Sequence, residues 1–545
     1  MACSRIRLTA QSVGVKVFGV DHAEVLITAL LMAVAALGAL SCRLRVPYPI
    51  PLVIGGALAG FIPGLPQIDL EPDLVLALFL PPLLYKSAIY ANFGDFRAGV
   101  RSLTLSAVAL VVATMGAVAV VAHAVIPGMP WEAAFVLGAI VSPTDPVAAA
   151  TIMRRVGAPR RLISSIEGEG LFNDATALVA FRVAVAATVS GGFSLADAGL
   201  RFVLGAAGGV AIGLVVGWLS GWVRAHIYDA QISITISLLT AYAAFLPAEA
   251  AGASAVLAVV TAGIVMAIRS PDVLDARPRL QGYFVWDIVD FLINATLFAL
   301  IGLQLRSIVG GLHEYRFLDL VAYGAAVVGS VVVIRLVWFF SVPYLIRLVD
   351  RRPAQRVRRV GGSGRLVLAW SGMRGAVSLA VALAVPQQTA DGAPFPHREL
   401  ILFLTFVVIF FTLVAQGLTL PTVIRRLDGA TDEDAEEEAR ARLAAARAAL
   451  DRIDELAGEE WTRADTAERM RGLYEYRTQR FTARLSGDGN DDYEERSRAY
   501  QEMVRSVLAA QRRALIALRH DGSLSNEAFN RILRDIDLEE SRLEI

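Results

Sequence analysis

Cysteine is almost missing from this chain: Cys3 and Cys42 are the two present in 545 residues, too few for a disulfide framework. Lysine is as scarce, with Lys16 and Lys86 alone, so nearly all positive charge is arginine. Histidine occurs 6 times, and no group of His, Cys and acids has the spacing of a metal site. No Ser and His arrangement can be assigned to one side of a membrane. The chain is therefore expected not to be an enzyme and to need no cofactor, and no nucleic-acid partner is expected. Charged residues make up 19% against 55% apolar, which excludes a disordered protein. A secretory leader is not expected, because the first long apolar run has full membrane length and no small-residue cleavage pattern.

What the chain has in abundance is apolar runs of about 20 residues, recurring from Glu24 to Arg425. Each can cross about 30 Å of hydrocarbon, which rules out a soluble globular enzyme for most of the length. The expected fold class is an all-α polytopic membrane protein with about thirteen transmembrane helices. The spans are expected at 24–42, 50–62, 72–91, 99–126, 131–153, 160–189, 198–223, 231–248, 251–268, 281–305, 317–346, 364–387 and 398–425. The second is short and Gly-rich.

The loops carry an orientation. Arg and Lys collect in cytoplasmic loops, and here arginines follow every odd span: Arg43 and Arg45, Arg97 and Arg101, Arg154 to Arg161, Arg224, Arg269 to Arg279, and Arg347 to Arg365. The alternate loops hold little more than Arg201, Arg306, Arg316 and Arg398, and include Asp69, Glu71 and Asp73. The expected N-terminal segment 1–23 is then outside, 24–426 is the membrane domain, and 427–545 is inside. From Asp428 the tail has 28 acidic residues and 19 arginines, a net of −9 in a chain of net charge 0. Leu443, Leu450, Ile453 and Leu456, then Val504, Leu508, Leu515 and Leu518, recur at helical spacing. A helical cytoplasmic regulatory domain is expected. Abundant Ala and Arg with scarce Lys suit a GC-rich bacterial genome, so a multi-pass protein of the bacterial cell (inner) membrane is expected.

Ionisable residues inside spans are costly and mark function. The fifth span contains Ser142-Pro143-Thr144-Asp145-Pro146. Pro143 and Pro146 remove backbone donors and break the helix, and such breaks at membrane depth are tolerated only within protein or beside water. Thr144 and Asp145 sit at that break. Asp145 either caps the second half-helix or contributes to an ion site, and the two roles are compatible. The sixth span contains Glu167-Gly168-Glu169-Gly170-Leu171-Phe172-Asn173-Asp174. On a helix Gly170, Asn173 and Asp174 share one face. A carboxylate at mid-span must bind a cation, pair with a base or take a proton. The twelfth span holds Trp370-Ser371-Gly372-Met373-Arg374-Gly375-Ala376-Val377-Ser378. Gly372 and Gly375 allow close packing or a second break, and a buried Arg374 needs an acid. Glu169 is the first choice and Asp174 the second. Lys86 is expected to snorkel to the cytoplasmic interface. Asn294, Thr296 and Gln304 are expected to make interhelical hydrogen bonds, and His123 and His226 to be interface residues.

Three of these stretches, the Thr-Asp-Pro break, the Gly168 to Asp174 run and the Gly372 to Val377 run, together with Leu80-Pro81-Pro82-Leu83-Leu84-Tyr85, resemble in order the motifs of the cation:proton antiporter-1 family. That family comprises bacterial sodium/proton antiporters akin to the animal sodium/proton exchangers. The resemblance covers about residues 25–425. It implies inverted repeats, two broken helices crossing at mid-membrane, a homodimer with a mobile core, and exchange of Na⁺ for H⁺. It implies Asp174 as the carboxylate shared by cation and proton, with Na⁺ at Asp174 and Thr144. Asn173 would orient Asp174 or hold Glu169, Asp145 would support the broken helix, and Glu169 and Arg374 would form a structural pair. This chain departs from the family at Gly170, where members usually have Ser, and at Lys86, where a small or acidic residue is usual.

With Asn173 instead of a second acid beside Asp174, one negative charge takes one positive charge per trip, so electroneutral one-for-one exchange by alternating access is expected. The alternative keeps the mechanism and exchanges K⁺, or Na⁺, K⁺ and Li⁺ together, since hard cations share oxygen ligands. An ion channel or a non-transporting cation or pH sensor is the remaining reading.

Overall fold

In a computed structural model, the structure describes residues 22–44, 46–62, 72–90, 93–190, 195–349, 361–426, 433–486 and 491–541. The N-terminal segment up to residue 21, Asp69 and Glu71, and the arginines from 351 to 359 lie outside them. Among the described residues the regular structure is helical, with one isolated bridge between Gln388 and Pro394. The chain divides into two compact units, Met1–Gly429 and Ala430–Ile545.

The first unit runs α1 (His22–Leu44), α2 (Pro49–Gly60), α3 (Pro72–Ile89), α4 (Phe93–Val125), α5 (Trp131–Val141), α6 (Pro146–Val156), α7 (Arg160–Ser190), α8 (Leu195–Ala225), α9 (Ala230–Ala250), α10 (Ala255–Val273), α11 (Ala276–Leu303), the short α12 (Leu305–Gly310) and α13 (Phe317–Val349). It ends with α14 (Gly362–Trp370), α15 (Ala376–Leu383), α16 (Arg398–Phe411), a π turn over Thr412–Gln416, and α17 (Gly417–Arg425). Every expected span coincides with a helix or a pair of half-helices. Eight stretches among the described residues are long and apolar enough to cross a membrane by length and composition.

Two spans are broken, and for different chemical reasons. In the fifth, Pro143 and Pro146 withhold donors, α5 stops at Val141, and α6 restarts at Pro146. In the twelfth no proline intervenes; α14 stops at Trp370 and α15 restarts at Ala376 across Ser371 to Gly375. By contrast Pro81 and Pro82 are accommodated within α3.

Small residues set the other contacts. A Cβ on Gly209, Gly213 or Gly217 of α8 would run into Ser254, Ala258 or Ala262 of the α10 region, and one on Gly56 or Gly302 would close the α2 and α11 contact. One core gathers α4 to α7 with α13 to α17. A second gathers α3, α9 and α10 around Tyr85, Met266 and Trp286.

The second unit comprises α18 (Glu433–Leu456), α19 (Ala464–Ser486), α20 (Asp491–His520) and α21 (Asn526–Ser541). Helices α20 and α21 share a small core of Leu508, Leu515, Phe529 and Ile536. Helix α19 has no counterpart in the reading of the sequence, because its apolar residues are few and scattered.

Candidate functional site

The two breaks meet. The backbone N–H of Asp145, in the first, donates to the carbonyl of Met373, in the second, at 2.7 Å. Asp145 also caps α6, its Oδ1 accepting from Val147 N at 2.9 Å. Its Oδ2 is buried without a hydrogen-bond partner among the described residues. A Cβ at Gly375 would land on the Asp145 carboxylate, so glycine at 375 is what lets the two breaks approach.

Arg374 is the buckle of this crossing. Its Nε donates to Val141 O at 2.9 Å, its Nη1 donates to Gly372 O, and its backbone N–H donates to Thr412 Oγ1 at 3.0 Å. The carbonyls it satisfies belong to the ends of broken helices, where the macrodipole favours a cation.

Glu169 does not pair with Arg374. It forms a two-pronged ion pair with Arg335 of α13, Nη1 to Oε1 at 2.6 Å and Nη2 to Oε2 at 3.2 Å. The Arg335 side chain is 2% exposed. Its Nε and Nη2 also reach Leu368 O, at 3.3 and 3.1 Å. The physical reason is space: a Cβ at Gly372 would collide with the Arg335 guanidinium, so the glycine beside Arg374 admits a different arginine. Arg335 was legible in principle, since it is a charge in the middle of the apolar eleventh span, and the rule that flagged Asp174 applies to it equally.

Thr144 is the junction of the network. Its hydroxyl donates to Glu169 Oε1 at 3.1 Å and accepts from Asn173 Nδ2 at 2.7 Å, while Asn173 Nδ2 also reaches Thr144 O at 3.2 Å. Asn173 thus holds Thr144, where the sequence suggested it would hold Glu169 or Asp174. Asn173 Oδ1 is left buried and unpartnered among the described residues.

Asp174 lines a cavity at the crossing together with Pro143, Thr144, Asp145, Pro146, Gly170, Asn294, Gly375 and Ser378. Counting Ser87 of α3, two carboxylates, three hydroxyl residues and an amide therefore line one space, a donor set suited to a small hard cation. Gly170 is packed against Pro146: an added Cβ would lie 2.5 Å from Pro146 Cγ and 2.9 Å from Cδ. A proline ring cannot swing aside, so Gly170→Ala and Gly170→Ser are each expected to cost about 1–3 kcal/mol through displacement of α6. Thermal unfolding in detergent measures this; unchanged midpoints would contradict it.

Two further expectations change. Lys86 does not snorkel; it pairs with Asp290 at 2.9 Å and Asp287 at 3.0 Å. Asn294 bonds within its own helix, to Asp290 O at 3.0 Å and Oδ1 at 2.9 Å. Neither aspartate is among the candidates singled out from the sequence, although both lie within the tenth span. His123 Nδ1 donates to the Met129 carbonyl at 2.7 Å, and its ring stacks on Trp131.

The sequence model for the transmembrane sodium/hydrogen exchanger matches residues 27–426. The chain belongs to the sodium/hydrogen exchanger family. It is a multi-pass membrane cation/proton antiporter, and the family is one of transporters. An uncharacterized Na⁺/H⁺ exchanger of Mycobacterium tuberculosis (strain H37Rv) is 38% identical over 535 residues, which cover 96% of this chain and 97% of the relative. A sodium, potassium, lithium and rubidium/H⁺ antiporter of Bacillus pumilus is 34% identical over 397 residues, 70% of this chain and 59% of that one. The solved sodium proton antiporter MjNhaP1 of Methanocaldococcus jannaschii superposes with a TM-score of 0.58 at 17% identity, covering 74% of this chain and 99% of its own. That likeness speaks to the exchanger fold alone.

Proposed function

We propose that this exchanger moves one Na⁺ outward for one H⁺ inward, without net charge transfer, through alternating access at Asp174. The observation that carries the reading is the cavity where two broken helices cross, lined by Asp174 and by the Thr144 hydroxyl. Among the described residues no base pairs with Asp174, so its charge is available to a cation or a proton. Thr144 supplies an oxygen, Asn173 holds Thr144 in position, and Asp145 caps α6 with one oxygen and turns the other to the crossing. Asp145 is tied to the N-terminus of α6 by its cap, so Asp174, which has no such tie among the described residues, is the carboxylate that changes partner and the exchange is one for one.

Thirteen crossings in inverted repeats, the N-terminus outside, the tail inside, a bacterial inner membrane and a homodimeric assembly complete the proposal. The alternation of arginine-rich loops supports the orientation. A broader cation range is the second reading. The Bacillus relative's name spans four alkali cations, and Gly170 offers no hydroxyl to select among them.

Inside-out vesicles bearing an imposed pH gradient test this. Na⁺ is expected to dissipate the gradient, with an initial rate independent of membrane potential. A rate that follows the potential would overturn the electroneutral stoichiometry. Dissipation by K⁺ alone, or equally by Na⁺, K⁺ and Li⁺, would transfer the mechanism to the second reading.

A further inference from the structure

The cavity at the crossing is not walled by the broken helices and α7 alone. Ser87 of α3 and Asn294 of α11 also face it. From Asn294 a polar ladder leads outward along one side of α11, at helical spacing, through Asp290 to Asp287. Asn294 Nδ2 donates to Asp290 Oδ1 at 2.9 Å, and Asp290 Oδ2 accepts from Lys86 Nζ at 2.9 Å. Lys86 Nζ also lies 3.0 Å from Asp287 Oδ1. Exposure rises along the ladder: Asn294 is buried, the Asp290 side chain is 13% exposed and the Asp287 side chain 66%. The Asp287 carboxylate thus opens at the protein surface, beside the exposed Tyr283 and Phe284 of the same helix.

Two carboxylates share one ammonium here, so the triad keeps a net negative charge. A structural ion pair would need neither the second acid nor the hydrogen bond that joins Asp290 to the cavity wall. We infer that Lys86, Asp290 and Asp287 form an electrostatic entry gate for the transported cation, in which the Lys86 ammonium occupies the place at Asp290 that an entering cation would otherwise take. The lysine is a tethered competitor: it lowers the apparent affinity for the cation and leaves the exchange step at Asp174 untouched. The gate rests on the proposed exchange, and it assigns a function to Lys86.

The test is Na⁺-dependent proton flux by the full-length protein in proteoliposomes, at low ionic strength and at high ionic strength set with choline chloride. Lys86→Gln is expected to lower the apparent KM for Na⁺ about fivefold at low ionic strength, the effect of losing one partly exposed charge partner. Asp290→Asn and Asp287→Asn are expected to raise it by a similar factor, and Lys86→Arg to keep the wild-type value. Vmax should change less than KM in all four, and the KM differences should shrink in high salt, because screening sets in over about 10 Å. If Lys86→Gln and Asp290→Asn both lower Vmax while KM stays fixed at both ionic strengths, the triad is structural and the inference is overturned. Asp287→Asn, at the exposed end, guards against misfolding of the buried variants: an unchanged KM at low ionic strength would overturn the inference by itself. Failure of the Asp174 assignment has a separate signature, wild-type flux in Asp174→Asn, and would leave the KM shifts of the gate variants standing.

Discussion

Asp174→Asn is expected to reduce cation-driven proton flux to the level of vesicles lacking the protein, while the variant inserts, folds and unfolds in detergent like the wild type. The loss should be complete because the substitution removes the one group whose ionised and protonated forms are the two loaded states. Asparagine offers a cation a neutral oxygen and can take no proton, so both half-cycles stop together. The fold should survive because, among the described residues, Asp174 is paired with no base whose charge would be orphaned; an amide of the same shape faces the same cavity. Asp145→Asn is a useful contrast. It keeps a cap on α6, since asparagine is as good an N-cap as aspartate, but weakens the negative field in the cavity; exchange should persist with a raised apparent KM. Flux in Asp174→Asn comparable to wild type would remove the carboxylate from the mechanism. Equal loss in both variants would mean that the cavity needs two charges, and that the one-for-one count is wrong.

Asp174 was legible in the sequence because burying a charge in a membrane helix is costly enough that a single residue reveals it. The first break was equally legible, since Pro143 and Pro146 state in chemical terms which backbone donors are missing. The second break rests on Gly372 and Gly375, and glycine is ambiguous: it signals either a break or a close neighbour. The structure has both at once, a break over Ser371 to Gly375 and two close neighbours, the Arg335 guanidinium against Gly372 and the Asp145 carboxylate against Gly375. The partner of Glu169 was not legible. Arg335 and Arg374 each satisfy the requirement for a buried counter-charge, and the chain order does not rank them. What decides is that Arg374 is used up by carbonyls at the crossing, whereas the Arg335 fork faces Glu169 squarely. Lys86 failed for a related reason. Its place near a helix end suggested an interface, and two aspartates on a helix about two hundred residues later in sequence gave it somewhere else to go.

The exchange of one arginine for the other has a measurable consequence. Glu169→Gln is expected to destabilise the protein by about 3–5 kcal/mol, because it leaves the Arg335 charge buried with neutral acceptors and the Phe339 ring but no counter-charge. Arg335→Met should cost a similar amount, since Glu169 would keep only the Thr144 hydroxyl. Removing both should cost far less than the two losses added together, because the double variant leaves no orphaned charge. Arg374→Met should also be destabilising, through the unpaired carbonyls of Val141 and Gly372, but its loss should add more nearly to that of Glu169→Gln, as expected for residues without a shared hydrogen bond. Two double-mutant cycles followed by thermal unfolding in detergent compare the partners directly. A large coupling for 169 with 335 and a smaller one for 169 with 374 is the expected pattern. The reverse pattern would return the partnership to Arg374. It would also mean that Gly372 is free to carry a side chain, so Gly372→Ala, which the present packing forbids, should then be tolerated.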